Sequence, residues 1–167
     1  LKVQFYSKRE LKEIEDSLKL QWKNAAVPEL GLERRGFVEE GSYVALGGHT
    51  VVDARGVFTP FLGDDELLKA FPKIVVDMGA IKFLTNGANV MRPGIRSFLA
   101  PFAKGDVVVV VDEKHGKALA VGTAMVDSPE GEKMEKGPVI KNVHYVGDKF
   151  WNAVKELNAE AGASQQS

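Results

Sequence analysis

Five consecutive valines, Val107 to Val111, set the tightest limit on how this chain can fold. All five are β-branched, which favours an extended backbone, and the run is too short to be read as a helix. A strand that is apolar on both faces belongs inside a protein, so the run predicts a strand covered on both sides. Glu113-Lys114-His115-Gly116 then reads as a turn. From Ala118 to Val126 the pattern alternates, with Leu119, Val121 and Met125 on one side and Ala120, Gly122 and Ala124 on the other. The second side has no bulk. It suits close packing against another segment or, alternatively, a flat wall along which a backbone lies.

The segment from Val76 to Ile95, VDMGAIKFLTNGANVMRPGI, carries most of the functional signal. Gly79 and Gly87 suit positions that need positive φ or close approach of another chain. Pro93 fixes its own φ, and Gly94 after it supplies the positive φ of a type II turn. Such a turn holds Arg92 and Ile95 within about 7 Å of each other. Arg92 and Arg96 are then expected side by side at the rim of a glycine-rich concavity, as phosphate contacts. No acidic residue lies between Met78 and Lys104 to neutralise them from nearby in sequence. Lys82 and Asn86, one helical turn apart, face the same ligand in this reading. Alternatively Asn86 is only a helix C-cap beside Gly87. Met91 is assigned to the core.

Ser7-Lys8-Arg9-Glu10 is a capping box, and Leu11, Ile14, Leu18 and Trp22 follow at helical spacing. Pro28 and Gly31 break the helix. Val51 to Phe58 reads as a strand pair around a tight turn, and Asp64-Asp65-Glu66 opens a brief helix that Phe71-Pro72 ends. Ser128 to Lys136 is a short capped helix and Pro138 to Val146 a last strand. On simple alternation that strand puts Lys141 and Tyr145 on one side, Asn142 and His144 on the other. Asp148 to Asn158 has helical spacing, and the residues from Ala161 onward are expected to fray.

Taken in order, Val76-Asp77-x-Gly79-Ala80-Ile81-Lys82-Phe83, Gly87-Ala88-Asn89-Val90-Met91-x-Pro93-Gly94-Ile95, Lys104-Gly105-Asp106, Ala120-Val121-Gly122 and Lys136-Gly137 resemble a PUA domain. With Asn142-x-His144-Tyr145 and Trp151 they resemble one branch in particular. That branch is the multiple-copies-in-T-cell-lymphoma family, with its yeast counterpart and archaeal homologues. The resemblance implies an α+β chain in which residues 1–72 form a small pre-PUA α+β domain and 73–151 a PUA β-pseudobarrel. A C-terminal helix and tail occupy 152–167. It further implies a translation-associated RNA-binding protein acting with tRNA or rRNA and the small ribosomal subunit, with a protein partner on the front domain. The expected RNA contacts are Lys82, Asn86, Gly87, Ala88, Arg92, Pro93, Gly94 and Arg96, with Lys141, His144 and Tyr145 of the last strand.

Composition neither demands nor forbids this. Formal net charge is −1, split as −2 over residues 1–71 and +2 over 72–151, so local placement rather than bulk charge must attract RNA. There are no cysteines, which removes disulfides and cysteine-ligated zinc. His49, His115 and His144 are scattered, without metal-ligand spacing. No Walker loop, nucleophile elbow or dinucleotide fingerprint is present, so a non-enzyme without cofactor or metal is expected. No apolar run is long enough to span a membrane and no signal-peptide pattern is seen, and the lack of cysteines fits the cytoplasm, where the protein is expected. Two rival functions stay open: an accessory specificity module for an RNA-modifying enzyme in trans, and a protein-interaction adaptor that binds no RNA.

Overall fold

The structure is a computed structural model that describes the backbone of residues 1–166 and the side chains through Gly162. Helix α1 (Lys8–Gln21) begins at the capping box. Ser7 Oγ accepts from the Glu10 N–H, and the Glu10 carboxylate accepts from the Ser7 N–H. The apolar stripe of Leu11, Ile14 and Leu18 ends in Trp22, whose indole N–H donates to the Phe58 carbonyl at 2.9 Å. The helix covers one face of an antiparallel sheet built in chain order from β1 (Val3–Phe5), β2 (Leu32–Glu39), β3 (Ser42–Gly47), β4 (Val51–Ala54) and β5 (Val57–Pro60). Arg55 and Gly56, both at positive φ, make the tight β4–β5 turn. Asp64 caps the short α2 (Asp65–Leu68).

The second half is a six-stranded sheet: β6 (Lys73–Val76), β7 (Val90–Met91), β8 (Ile95–Phe98), β9 (Val107–Asp112), β10 (Ala118–Ala124) and β11 (Pro138–Tyr145). The spatial order is β7-β11-β10-β9-β6-β8, with β6 and β9 parallel and every other pair antiparallel. β7 and β8 occupy opposite edges, yet only the 3₁₀ turn Arg92–Gly94 separates them in sequence. The sheet therefore curls until one turn joins its edges. The result is a nearly closed barrel with α3 (Ile81–Leu84) and α4 (Ser128–Lys133) on its loops, in an α+β chain as the sequence suggested.

The valine strand is a wall between two cores. Val107, Val109 and Val111 point at Trp22, Phe58, Leu62 and Leu68, while Val108 and Val110 point at Ile74, Val76, Leu84 and Ile140. Burying each valine contributes roughly 1.5–3 kcal/mol, so both faces of β9 need their cover. The first core is thus drawn from both halves of the chain. α5 (Lys149–Gln166) packs Phe150 and Val154 on the far face of the front sheet, against Val44, Val52 and Phe61. Trp151, just beyond the last strand, stands 5.6 Å from the Phe61 ring of the front half. The helix continues through Gln166 where fraying was expected from Ala161, and Ser167 lies outside the described residues. The small face of β10 is a packing face, since a Cβ on Gly122 would run into the Lys141 carbonyl.

Candidate nucleic-acid interface

A groove opens where β6 leaves the barrel. Asp77 caps the turn after it by accepting from the Ala80 N–H at 3.0 Å, and α3 follows at once. That helix stops in a Schellman arrangement: the Ala88 N–H donates to the Phe83 carbonyl and the Gly87 N–H to the Leu84 carbonyl, both at 3.0 Å. Gly87 has φ 89°, so this glycine is required by conformation. Asn86 turns back and donates to the Lys82 carbonyl at 2.9 Å, which is the capping alternative. Gly79, Ala80, Phe83, Ala88, Met91 and Pro93 are among the walls of a groove of about 470 Å³. Phe83 is 59% exposed and Met91 48%, so Met91 sits on the rim and not in the core. The Lys82 ammonium lies 5.1 Å from the centroid of the Phe83 ring.

Two expectations about the following turn are corrected. Gly94 is not at positive φ: Arg92–Gly94 is a 3₁₀ turn closed by the Ile95 N–H on the Arg92 carbonyl. A Cβ at Gly94 would meet Ala80 Cβ at an ordinary 3.7 Å. The arginines are not paired free cations either. Arg92 is half-buried, donates to the Ile95 and Glu132 carbonyls at 3.1 and 3.3 Å, and covers the Phe98 ring. Arg96 is exposed but pairs with Glu113, Nε to Oε2 at 3.2 Å. Glu113 is held beside Asp112, whose carboxylate accepts the N–H groups of His115, Lys117 and Lys114 and is thereby kept below the usual carboxylate range.

The last strand departs from simple alternation. Val121 pairs with His144 and the next residue, Gly122, with Asn142, so Val143 is the extra residue of a β-bulge. The bulge reverses the phase of the side chains. Asn142 and Tyr145 share the side facing α3 and its loop, and Lys141 and His144 share the other. Tyr145 is half-buried, with ring atoms 3.3 Å from where a Gly87 Cβ would stand. The Asn142 amide donates to both the Leu84 and Ala88 carbonyls at 3.0 Å, and its backbone N–H donates to Asn89 Oδ1 at 3.0 Å.

His144 has no face open to a base, so the expectation of a base contact there is also corrected. It is 0% exposed, stacked on Phe61, and its Nε2 accepts from the Leu62 N–H at 3.1 Å. That leaves the proton on Nδ1, which donates to Asp148 Oδ2 at 2.8 Å. Asp148 also accepts from the Tyr145 and Trp151 N–H groups. This chain of bonds locks the barrel to the front sheet. Lys141 is exposed on its strand. Among the described residues no three His, Asp or Glu side chains gather in a way that could hold a metal ion.

The family model of the PUA domain matches residues 72–146, the span that contains the barrel and its groove. An uncharacterized protein of Methanocaldococcus jannaschii is 37% identical over 160 residues, which cover 89% of this chain and 94% of that one. The chain belongs to the PUA-domain family. Translation machinery-associated protein 20 of Saccharomyces cerevisiae is 41% identical over 90 residues, 50% of each chain. Malignant T-cell-amplified sequence 2 of Homo sapiens is 40% identical over 105 residues, 59% of this chain and 56% of that one. The match thus spans about half the length of these two eukaryotic relatives. No helix among the described residues is long and apolar enough to cross a membrane.

Proposed function

We propose that the protein is an RNA-binding factor of the translation machinery that engages tRNA or small-subunit rRNA in the cytoplasm through the groove beside α3. The observation that carries this reading is an open apolar groove on a PUA barrel, with an exposed Phe83 in its wall and Lys82 beside that ring. Unpaired bases stack on exposed aromatic and apolar side chains, and a lysine nearby attracts phosphate. Gly87, Ala88, Pro93 and Gly94 would give the nucleotide close access to backbone, with Lys82 and Asn86 at the rim and Tyr145 supporting Gly87 from behind. Arg96 and Lys141 would add phosphate contacts, Arg96 by exchanging Glu113 for the ligand. Arg92 and His144 serve the fold and drop out of the contact set.

The name of the Saccharomyces cerevisiae relative favours translation, and neither eukaryotic relative is named as an enzyme. In this reading a protein partner occupies the front domain and places the chain on the small subunit. Ultraviolet crosslinking of the intact protein in cells, followed by sequencing of the attached RNA, tests the proposal. Enrichment of tRNA or small-subunit rRNA is expected. Crosslinks to no RNA class above background would overturn it.

A further inference from the structure

Asn142 is not among the groove's walls, yet it hydrogen-bonds three residues that are. The loop from Leu84 to Asn89 leaves the barrel with Asn86, Ala88 and Asn89 exposed. Both ends of that loop are tied to one residue of β11. The two amide hydrogens of Asn142 go one to the Leu84 carbonyl and one to the Ala88 carbonyl, while its N–H takes Asn89 Oδ1. Only a side chain with two donor hydrogens on one nitrogen makes that bridge at this length. Aspartate presents oxygens to the same two carbonyls, and serine has a single hydrogen. The Val143 bulge is what turns the amide toward the loop, and Gly122, its cross-strand partner, keeps the two backbones close.

We propose that Asn142 is a positioning residue: it fixes the Leu84–Asn89 loop in the conformation that shapes the groove, and so sets RNA affinity without contacting RNA. The inference rests on the groove being the RNA site. Two readouts on the full chain test it. Without RNA, Asn142→Ala is expected to shift the backbone amide resonances of 84–89 while leaving those around His144 in place. With a labelled unstructured RNA 12-mer, the same variant should bind about tenfold more weakly, as expected for two lost hydrogen bonds acting through the loop. The log K versus log salt slope should stay unchanged, because no phosphate contact is removed. Asn142→Ser, which keeps one donor, should fall between the two and carries the test if the alanine variant does not fold.

Parental affinity in a folded Asn142→Ala protein would overturn the inference while leaving the RNA site intact. A parent protein that binds no RNA would instead overturn the functional reading and this one with it. Resonances of 84–89 that stay in place in Asn142→Ala would remove the clamp itself.

Discussion

Strand β11 serves two places that differ in almost every physical respect. At the seam with the front sheet, His144 is fully buried and both ring nitrogens are engaged, with aromatic rings packed around it. Two residues earlier, Asn142 faces a loop whose Asn86, Ala88 and Asn89 are exposed, beside a groove whose apolar rim has no cover within the described chain. The seam is a closed set of bonds, and disturbing it should cost stability. The groove leaves Phe83 and Met91 in water, and disturbing it should cost binding. The contrast separates what holds this fold from what is left for a ligand, and each experiment below would blur or sharpen it.

The largest effect is expected at the seam. His144→Ala removes the acceptor for the Leu62 N–H, takes away one of the three N–H donors to the buried Asp148 carboxylate and leaves a hole beside Phe61. Together these should lower stability by about 3–4 kcal/mol in urea unfolding. RNA affinity, measured where the variant is still folded, should be parental. A similar loss of affinity would mean that the seam and groove are coupled.

Gly87 and Gly94 should part company. Gly87→Val forces a β-branched residue to φ 89° against Tyr145, with a cost of about 1–3 kcal/mol in thermal unfolding and a loss of RNA binding. Gly94→Ala has ordinary backbone and room, so its stability should stay within about 0.5 kcal/mol of the parent. Equal destabilisation by the two would contradict the turn geometry.

Asp112 provides a pH test. Its carboxylate is held below the usual range by backbone N–H groups, first that of His115. Its folded pKa is therefore lower than its unfolded value of about 3.9. The stability it supplies is present above that unfolded value and is lost as pH falls through the lowered folded one. Urea midpoints of the parent should drop over this acid window, and those of Asp112→Asn should drop less. Identical acid profiles would show that the carboxylate contributes nothing there.

The smallest effect is expected at Arg96. Glu113→Gln removes a surface ion-pair partner whose contribution is roughly 0–1 kcal/mol. RNA affinity should rise by no more than about fivefold. Arg96→Ala should instead flatten the salt slope by about 0.7 for a single-stranded target. If neither variant changes binding, phosphate does not reach this edge of the groove.

Much of the scaffold could be read from local sequence, because local chemistry decides it. The Ser7 and Glu10 cap, the Arg55-Gly56 hairpin and the valine strand depend on neighbours within a few residues. The functional side chains were harder because their partners come from far along the chain. Arg96 meets Glu113, Arg92 meets the Glu132 carbonyl, and His144 meets Leu62. One bulged residue, Val143, reversed the expected facing of Tyr145 relative to Lys141. No signal at Val143 announces that step, since valine is equally at home in a regular strand. Exposure of Met91 was likewise hidden, because an apolar residue on so short a strand reads as core.

The most direct test of the central claim is chemical-shift mapping on the isotope-labelled protein titrated with the RNA that crosslinks to it. Saturable shifts at Gly79, Phe83, Ala88 and Met91, with Leu62 and His144 unmoved, are the expected result. Shifts centred on the front sheet or the seam, with the groove silent, would contradict it.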